Sequence, residues 1–134
     1  MENNNQSMTE IFGEIIYSYS RAQAIADGVL VDLSAVAPEV CRQHYKYNVA
    51  CTSEVWGIID QAVKNKKHCN DYNGVIHDML WMSRVYKREL TPSDILFQVK
   101  IKGAGRKSLF EFKMNCGPND DASPCLTIMM PWED

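Results

Sequence analysis

The chain is 134 residues long, 46% hydrophobic and 23% charged, which fits one folded domain and excludes both two independent cores and wholesale disorder. Its formal net charge of −3 weighs against extended nucleic-acid binding, which depends on neutralising phosphates. Neither a leader peptide nor an apolar run of roughly 18 residues is visible, and the five scattered cysteines (Cys41, Cys51, Cys69, Cys116, Cys125) fit reduced thiols, so a cytoplasmic, membrane-free protein is expected.

Taken in chain order, Met1 to Glu10 reads as a disordered polar tail and residues 11–134 as a single α+β domain. Phe12 to Tyr19 is rich in aromatic and β-branched residues and is expected to be a strand. Ser20, with Gln23 three residues on, has the pattern of a helix start, and Gly28 suits the left-handed turn that ends a helix. Val29 to Leu33 is a short extended run. A second helix is expected from Ser34 to His44, although Pro38 fits a first turn better than an interior. Tyr45 to Ala50 reads as extended or loop. A third helix starts at Thr52 or Ser53, with Val55, Trp56, Ile58, Ile59, Ala62 and Val63 repeating at helical period. After a solvated connection, Asn70 or Asp71 caps a fourth helix running to about Lys87, and Arg84, Lys87 and Arg88 complement its dipole.

Beyond Thr91-Pro92 the period becomes two: Ile95, Phe97, Val99 and Ile101 alternate with Leu96, Gln98 and Lys100. Gly103-Ala104-Gly105 supplies a turn, Leu109 to Met114 alternates again, Asn115 to Pro124 is a loop, and Cys125 to Met130 is a further strand. The expected fold class is α+β: about four helices packed on an antiparallel sheet of three to four strands, with a C-terminal β-meander. The helix-free face of such a sheet is either polar and solvated or covered by a partner.

Residues capable of chemistry are present, but not in spacings that define a reaction. His68-Cys69 is too close a pair to clasp one ion, and His77 has no second ligand at helical spacing, so no metal site is expected. Cys41 and His44 share a helix face without the local signature of a nucleophile. Asp120-Asp121 sits in a Gly/Pro-rich loop that matches no cation loop. The turn at Gly103 lacks the third glycine of a dinucleotide cradle, yet it gathers Lys100, Lys102, Arg106, Lys107 and Lys113 into a basic finger, a candidate interaction surface. Arg21, Asp27, Asp32, Asp78 and Arg84 are charges embedded in apolar motifs. With Tyr17 and Tyr19 they form a candidate polar network tying the first helix to the fourth, or the floor of a pocket.

Three stretches carry a family resemblance: Tyr17 to Ser34 (YSYSRAQAIADGVLVDLS), Asp71 to Arg84 (DYNGVIHDMLWMSR) and Cys116 to Asp134 (CGPNDDASPCLTIMMPWED), with Thr52 to Trp56 between them. Together they resemble an uncharacterised family of small plasmid-related proteins, a domain of unknown function. The chain departs from it at Gly74-Val75, where the resemblance has Gly-Arg. The opening strand–helix–glycine unit also loosely resembles transferases that use NAD. Tyr17 and Tyr19 stand where that unit carries a cofactor-holding His or Arg, so no cofactor is expected.

The resemblance implies cargo of a plasmid or phage rather than an activity, and brings no catalytic residues with it. The expectation is a non-enzymatic interaction protein that binds, and inhibits, a host protein or ribonucleoprotein such as a CRISPR-type defence complex. A small nucleotide- or small-molecule-binding enzyme is the alternative reading, and a nucleic-acid accessory factor using the hairpin cations is a third. Direct nucleic-acid binding ranks below a protein partner, and a homodimer stays open.

Overall fold

The computed structural model describes residues 20–134. The expected tail, the expected strand Phe12 to Tyr19, and with it Tyr17 and Tyr19, lie outside the described residues. In chain order the elements are α1 (Arg21–Ala26), β1 (Leu30–Asp32), α2 (Leu33–Val36), α3 (Pro38–His44), β2 (Asn48–Thr52), α4 (Ser53–Lys64), α5 (Tyr72–Val85), β3 (Lys87–Thr91), β4 (Asp94–Lys100), β5 (Leu109–Pro118) and β6 (Pro124–Met129).

Local chemistry sets most boundaries. Ser20 Oγ accepts from the Gln23 amide at 2.9 Å to start α1, and Gly28 ends that turn at φ +80°. Asp32 Oδ1 accepts from Ser34 N and opens α2, Thr52 Oγ1 faces Val55 N at the start of α4, and Asp71 Oδ1 takes Gly74 N at 2.7 Å to open α5. The single helix expected from Ser34 to His44 is two. Proline has no amide hydrogen and crowds the residue before it, so Ala37 leaves helical geometry (φ −137°, ψ 70°) and α3 begins afresh at Pro38.

The sheet is larger than expected and is not wholly antiparallel. Among the described residues six strands run in the order β1-β2-β6-β5-β4-β3, and every adjacent pair is antiparallel except β2 and β6. Three strands, β1, β2 and β3, join the meander, and the short extended run at Val29 to Leu33 supplies the first of them. Asn48–Thr52 is an inner strand, its parallel partner β6 lying far along the chain, and such pairing leaves no local signal. Helix α5 stops at Val85 rather than near Lys87, and the following residues enter the sheet edge as β3, all of them exposed. The meander itself is as expected: β4 and β5 pair Phe97 with Phe112 and Val99 with Phe110, and β5 continues past Met114 to Pro118.

Alternation then divides the sheet's two faces. Val49, Cys51, Phe97, Val99, Phe110, Phe112, Met114, Leu126 and Ile128 point to one side, where Leu33, Cys41, Val55, Ile59, Ile76, Met79 and Leu80 of α2–α5 close over them. Phe97 and Phe112 meet edge to face with ring centroids 5.9 Å apart. Helix α1 lies on the opposite face, where Asn48 and Thr127 point. No helix among the described residues is long and apolar enough to cross a membrane.

Candidate functional site

Two concave surfaces flank the sheet, and their chemistry differs. The first lies on the face that carries α1, a cleft of about 900 Å³ that includes Arg21, Thr52, Asp94, Lys113, Asp120 and Glu133. Arg21 dominates it. Its Nη1 donates to Thr127 Oγ1 at 2.7 Å, its Nη2 to the Leu126 carbonyl at 2.7 Å and to Asn48 Oδ1 at 3.2 Å, and its Nε to Asn48 Oδ1 at 3.3 Å. Asn48 passes the connection on by donating to Asp32 Oδ1 at 3.0 Å. Asp120, reaching back from the β5–β6 loop, takes the Arg21 and Ala22 amides on its two carboxylate oxygens and fixes the start of α1. At the other end, Glu133 accepts from Thr52 Oγ1 and from the Met130 amide, while Lys113 Nζ donates to the Glu133 carbonyl. The donors that would hold a ligand here are already holding the fold together: Arg21 spends four contacts on β2 and β6.

The second surface lies at the opposite edge of the sheet. Strand β3 begins at Lys87, opposite Phe97, so β4 runs on through Gln98 to Lys100 with no strand of the described residues against its outer edge. The last turns of α5 overhang this stretch. Between them is a groove of about 930 Å³ lined by Trp81, Val85 and Tyr86 from the α5 end, Leu109 from β5, and the rim cations Lys87, Arg88 and Lys100. Tyr86 is 72% exposed, Trp81 48%, Leu109 45% and Val85 44%, a concentration of large apolar side chains in water at one place.

A short polar chain sits behind this groove. Arg84 Nη1 donates to His44 Nδ1 at 3.0 Å, and His44 Nε2 lies 2.9 Å from His77 Nδ1. An arginine only donates, so His44 accepts at Nδ1 and, carrying its proton on Nε2, donates to His77 Nδ1. Burial, then the nearby His77 and Arg84, lower the His44 pKa from its usual 6.5. Metal ligation through Nε2 would require a proton on Nδ1 and would displace Arg84, so the arrangement is a hydrogen-bond relay rather than a metal clamp. No group of three or more His, Cys, Asp or Glu side chains among the described residues is placed to hold a metal ion.

The remaining candidates fall into place around these surfaces. Cys41 is buried, and burial, against a hydrogen bond with Ser34, raises its thiol pKa, while its helix neighbour His44 is engaged on both ring nitrogens. Burial pushes the Cys51 and Cys125 thiols up as well. These three thiols stay protonated and are poor nucleophiles. Of the charges expected to act together, Arg21 and Asp32 are joined through Asn48, whereas Asp78 lines the groove and Arg84 serves His44. Asp27 accepts from Gln23 Nε2 within its own helix. Of the basic finger, Lys102 and Gly103 lend backbone carbonyls to Asn70 and Asn65, and Lys107 lies over the Phe110 ring at 5.4 Å. Arg106 is exposed beside them, Lys100 reaches the groove, and Lys113 lies apart on the α1 face, bonded to Glu133. Asp121 holds the Ser123 hydroxyl and amide, a turn function.

A family model described as a family of unknown function (DUF6573) matches residues 8–134. The chain belongs to this family. No curated protein and no solved structure matches it. Family membership therefore brings no reaction with it, and the geometry above carries the functional argument. At Gly74-Val75, Val75 is buried in the core and Gly74 lies under the Asp71 cap, where an added Cβ would come within 2.7 Å of Asp71 Oδ1. Position 75 of this chain serves packing. Sequence reasoning missed Asn48 and Thr127, the neutral partners of Arg21, and the groove itself. Trp81 on α5, next to the Tyr86-Lys87-Arg88 run, was the available signal for the groove.

Proposed function

We propose that this protein is a non-enzymatic interaction module that binds a protein partner through the groove between the end of α5 and the outer edge of β4. One observation carries the reading: Trp81, Val85, Tyr86 and Leu109, all large, apolar and exposed, line the same groove. Isolated exposed apolar residues are ordinary on a protein surface, but a contiguous set beside an open strand edge is the usual mark of a contact surface. The rival surface around Arg21 has its principal donors committed to the fold, and burial makes Cys41, Cys51 and Cys125 poor nucleophiles. The sequence resemblance supplies the setting within this reading: cargo of a plasmid or phage, directed at a host macromolecule such as a CRISPR-type defence complex.

The test is capture from host lysate followed by mass spectrometry. Wild type is compared with a Trp81→Asp/Tyr86→Asp variant and with a Lys102→Ala/Arg106→Ala/Lys107→Ala variant. A protein partner is expected to be lost with the first and retained with the second. Capture that ignores Trp81 and Tyr86 but collapses with the hairpin cations and with rising salt would move the role to the basic turn and defeat the proposal.

A further inference from the structure

The groove pairs an apolar wall with a strand edge, and the ladder parity says what that edge offers. Ile101 N donates to the Ser108 carbonyl and Cys116 N to the Ser93 carbonyl, so residues 93 and 101 turn their backbone groups toward β5. An antiparallel ladder alternates. Residues 95, 97 and 99 therefore face β5 as well, and residues 96, 98 and 100 face the other way. Leu96 is met by Arg88 of β3, and the pairing of Lys87 with Phe97 turns the Gln98 amide to the Tyr86 carbonyl, so the open edge consists of the Gln98 carbonyl and the N–H and C=O of Lys100.

Side chains of a strand laid along this edge would also alternate. On one side they would join Phe97 and Val99 beneath Trp81 and Val85, an apolar environment. On the other side they would join Gln98 and Lys100, with Arg88 one step along the edge. On the side of Gln98 and Lys100 the cations Arg88 and Lys100 outnumber Glu111, a local excess of positive charge on a chain whose net charge is −3, while Lys87, paired with Phe97, lies on the apolar side.

We infer that the groove takes an extended protein segment in which apolar residues alternate with Asp or Glu, added to β4 by main-chain hydrogen bonds to the Gln98 carbonyl and to the N–H and C=O of Lys100. This deepens the interaction reading and rests on it. Main-chain pairing supplies affinity, the wall of α5 selects apolar residues at every second position, and the cations select carboxylates at the others.

The test uses the full chain and two fluorescein-labelled nine-residue peptides, one alternating Val with Glu and one alternating Val with Lys, followed by fluorescence anisotropy. The Val/Glu peptide is expected to bind at least about tenfold more tightly, the effect of two or so partly exposed charge pairs. Lys100→Pro removes an outward-facing donor while leaving the β3–β4 and β4–β5 ladders intact, and should weaken the Val/Glu peptide at least about tenfold with a near-native melting temperature. Lys100→Glu should narrow or reverse the preference, and keeps the inference testable if Lys100→Pro does not fold. Equal binding of the two peptides, or none of either at millimolar concentration, overturns it. So does sedimentation showing a wild-type dimer that Lys100→Pro dissociates, which would give the edge to a second copy. Failure of the peptides alongside a Trp81-dependent partner in the capture experiment would sink the acidic strand alone and leave the interaction module standing.

Discussion

Replacing Arg21 with alanine measures how much of the α1 face is fold and how much is site. The change removes two short contacts, to Thr127 Oγ1 and the Leu126 carbonyl, each at 2.7 Å, and two longer ones to Asn48 Oδ1. A hydrogen bond from a charged donor contributes about 1.5–3 kcal/mol when shielded, but Arg21 is half-buried and water replaces part of what is lost. Allowing about 1 kcal/mol for each short contact and less for the long pair gives a loss of roughly 2–3 kcal/mol. In a domain of this size that lowers the melting temperature by roughly 6–15 °C. Equilibrium urea unfolding followed by circular dichroism reads the free energy, and a thermal scan reads the shift. Arg21→Lys should recover less than half, because an ammonium cannot reproduce the fork that reaches Thr127, Leu126 and Asn48 together. Partner binding by the folded variant should be unchanged. An Arg21→Ala protein that melts within about 2 °C of wild type would refute the structural assignment and return the guanidinium to the list of binding groups.

Two further outcomes follow from local geometry. Gly103→Ala should cost roughly 2–3 kcal/mol and Gly105→Ala only about 1 kcal/mol, since both substitutions place alanine in the left-handed region but only the first also crowds its neighbours. At Gly103 (φ +102°) the new Cβ would stand 3.2 Å from His68 and 3.4 Å from the Ala62 carbonyl, whereas at Gly105 (φ +90°) it meets open space; urea midpoints separate the two. Acidification should weaken the contact between α3 and α5: His44 is held neutral in the folded chain, so its contribution is complete above its ordinary pKa of 6.5 and is lost as pH falls through its lower folded value. Melting temperature measured between pH 7.5 and 5 should fall with pH, and His44→Gln should flatten that slope.

Much of this architecture is legible in the sequence because it is written in local patterns. The two-residue repeat from Ile95 to Ile101 can belong only to a half-buried strand, and Ser20, Thr52 and Asp71 each sit where an oxygen is needed to start a helix. What escapes is decided at a distance. Asn48–Thr52 does carry an alternation, with Val49 and Cys51 inward, but nothing nearby announces a parallel partner. Lys87–Thr91 is exposed throughout, so it has no burial pattern to read and owes its strand conformation to β4. For the candidate sites, Arg21 was identifiable as a charge in an apolar motif. Its partners Asn48 and Thr127 are neutral, and neutral polar residues do not advertise which charge they serve. Asp78 and Arg84 share the same kind of setting yet belong to the far edge of the sheet, a separation only topology reveals.

The parallel pairing of β2 with β6 has a kinetic consequence. Strands β1 and β2 form one hairpin-like ribbon, β3, β4 and β5 form another, and β6 is the slat that joins them. Until residues 124–129 are in place, the two ribbons share no backbone ladder and the helix-facing side of each is incompletely walled. Strand β6 pairs locally with β5, but its parallel pairing with β2 requires a long loop search before that ladder's energy is recovered, the situation that slows folding and leaves apolar edges open to the wrong neighbour. Nascent chains halted before Cys125 should therefore engage holdase chaperones, and those carried past Met129 should be released from them.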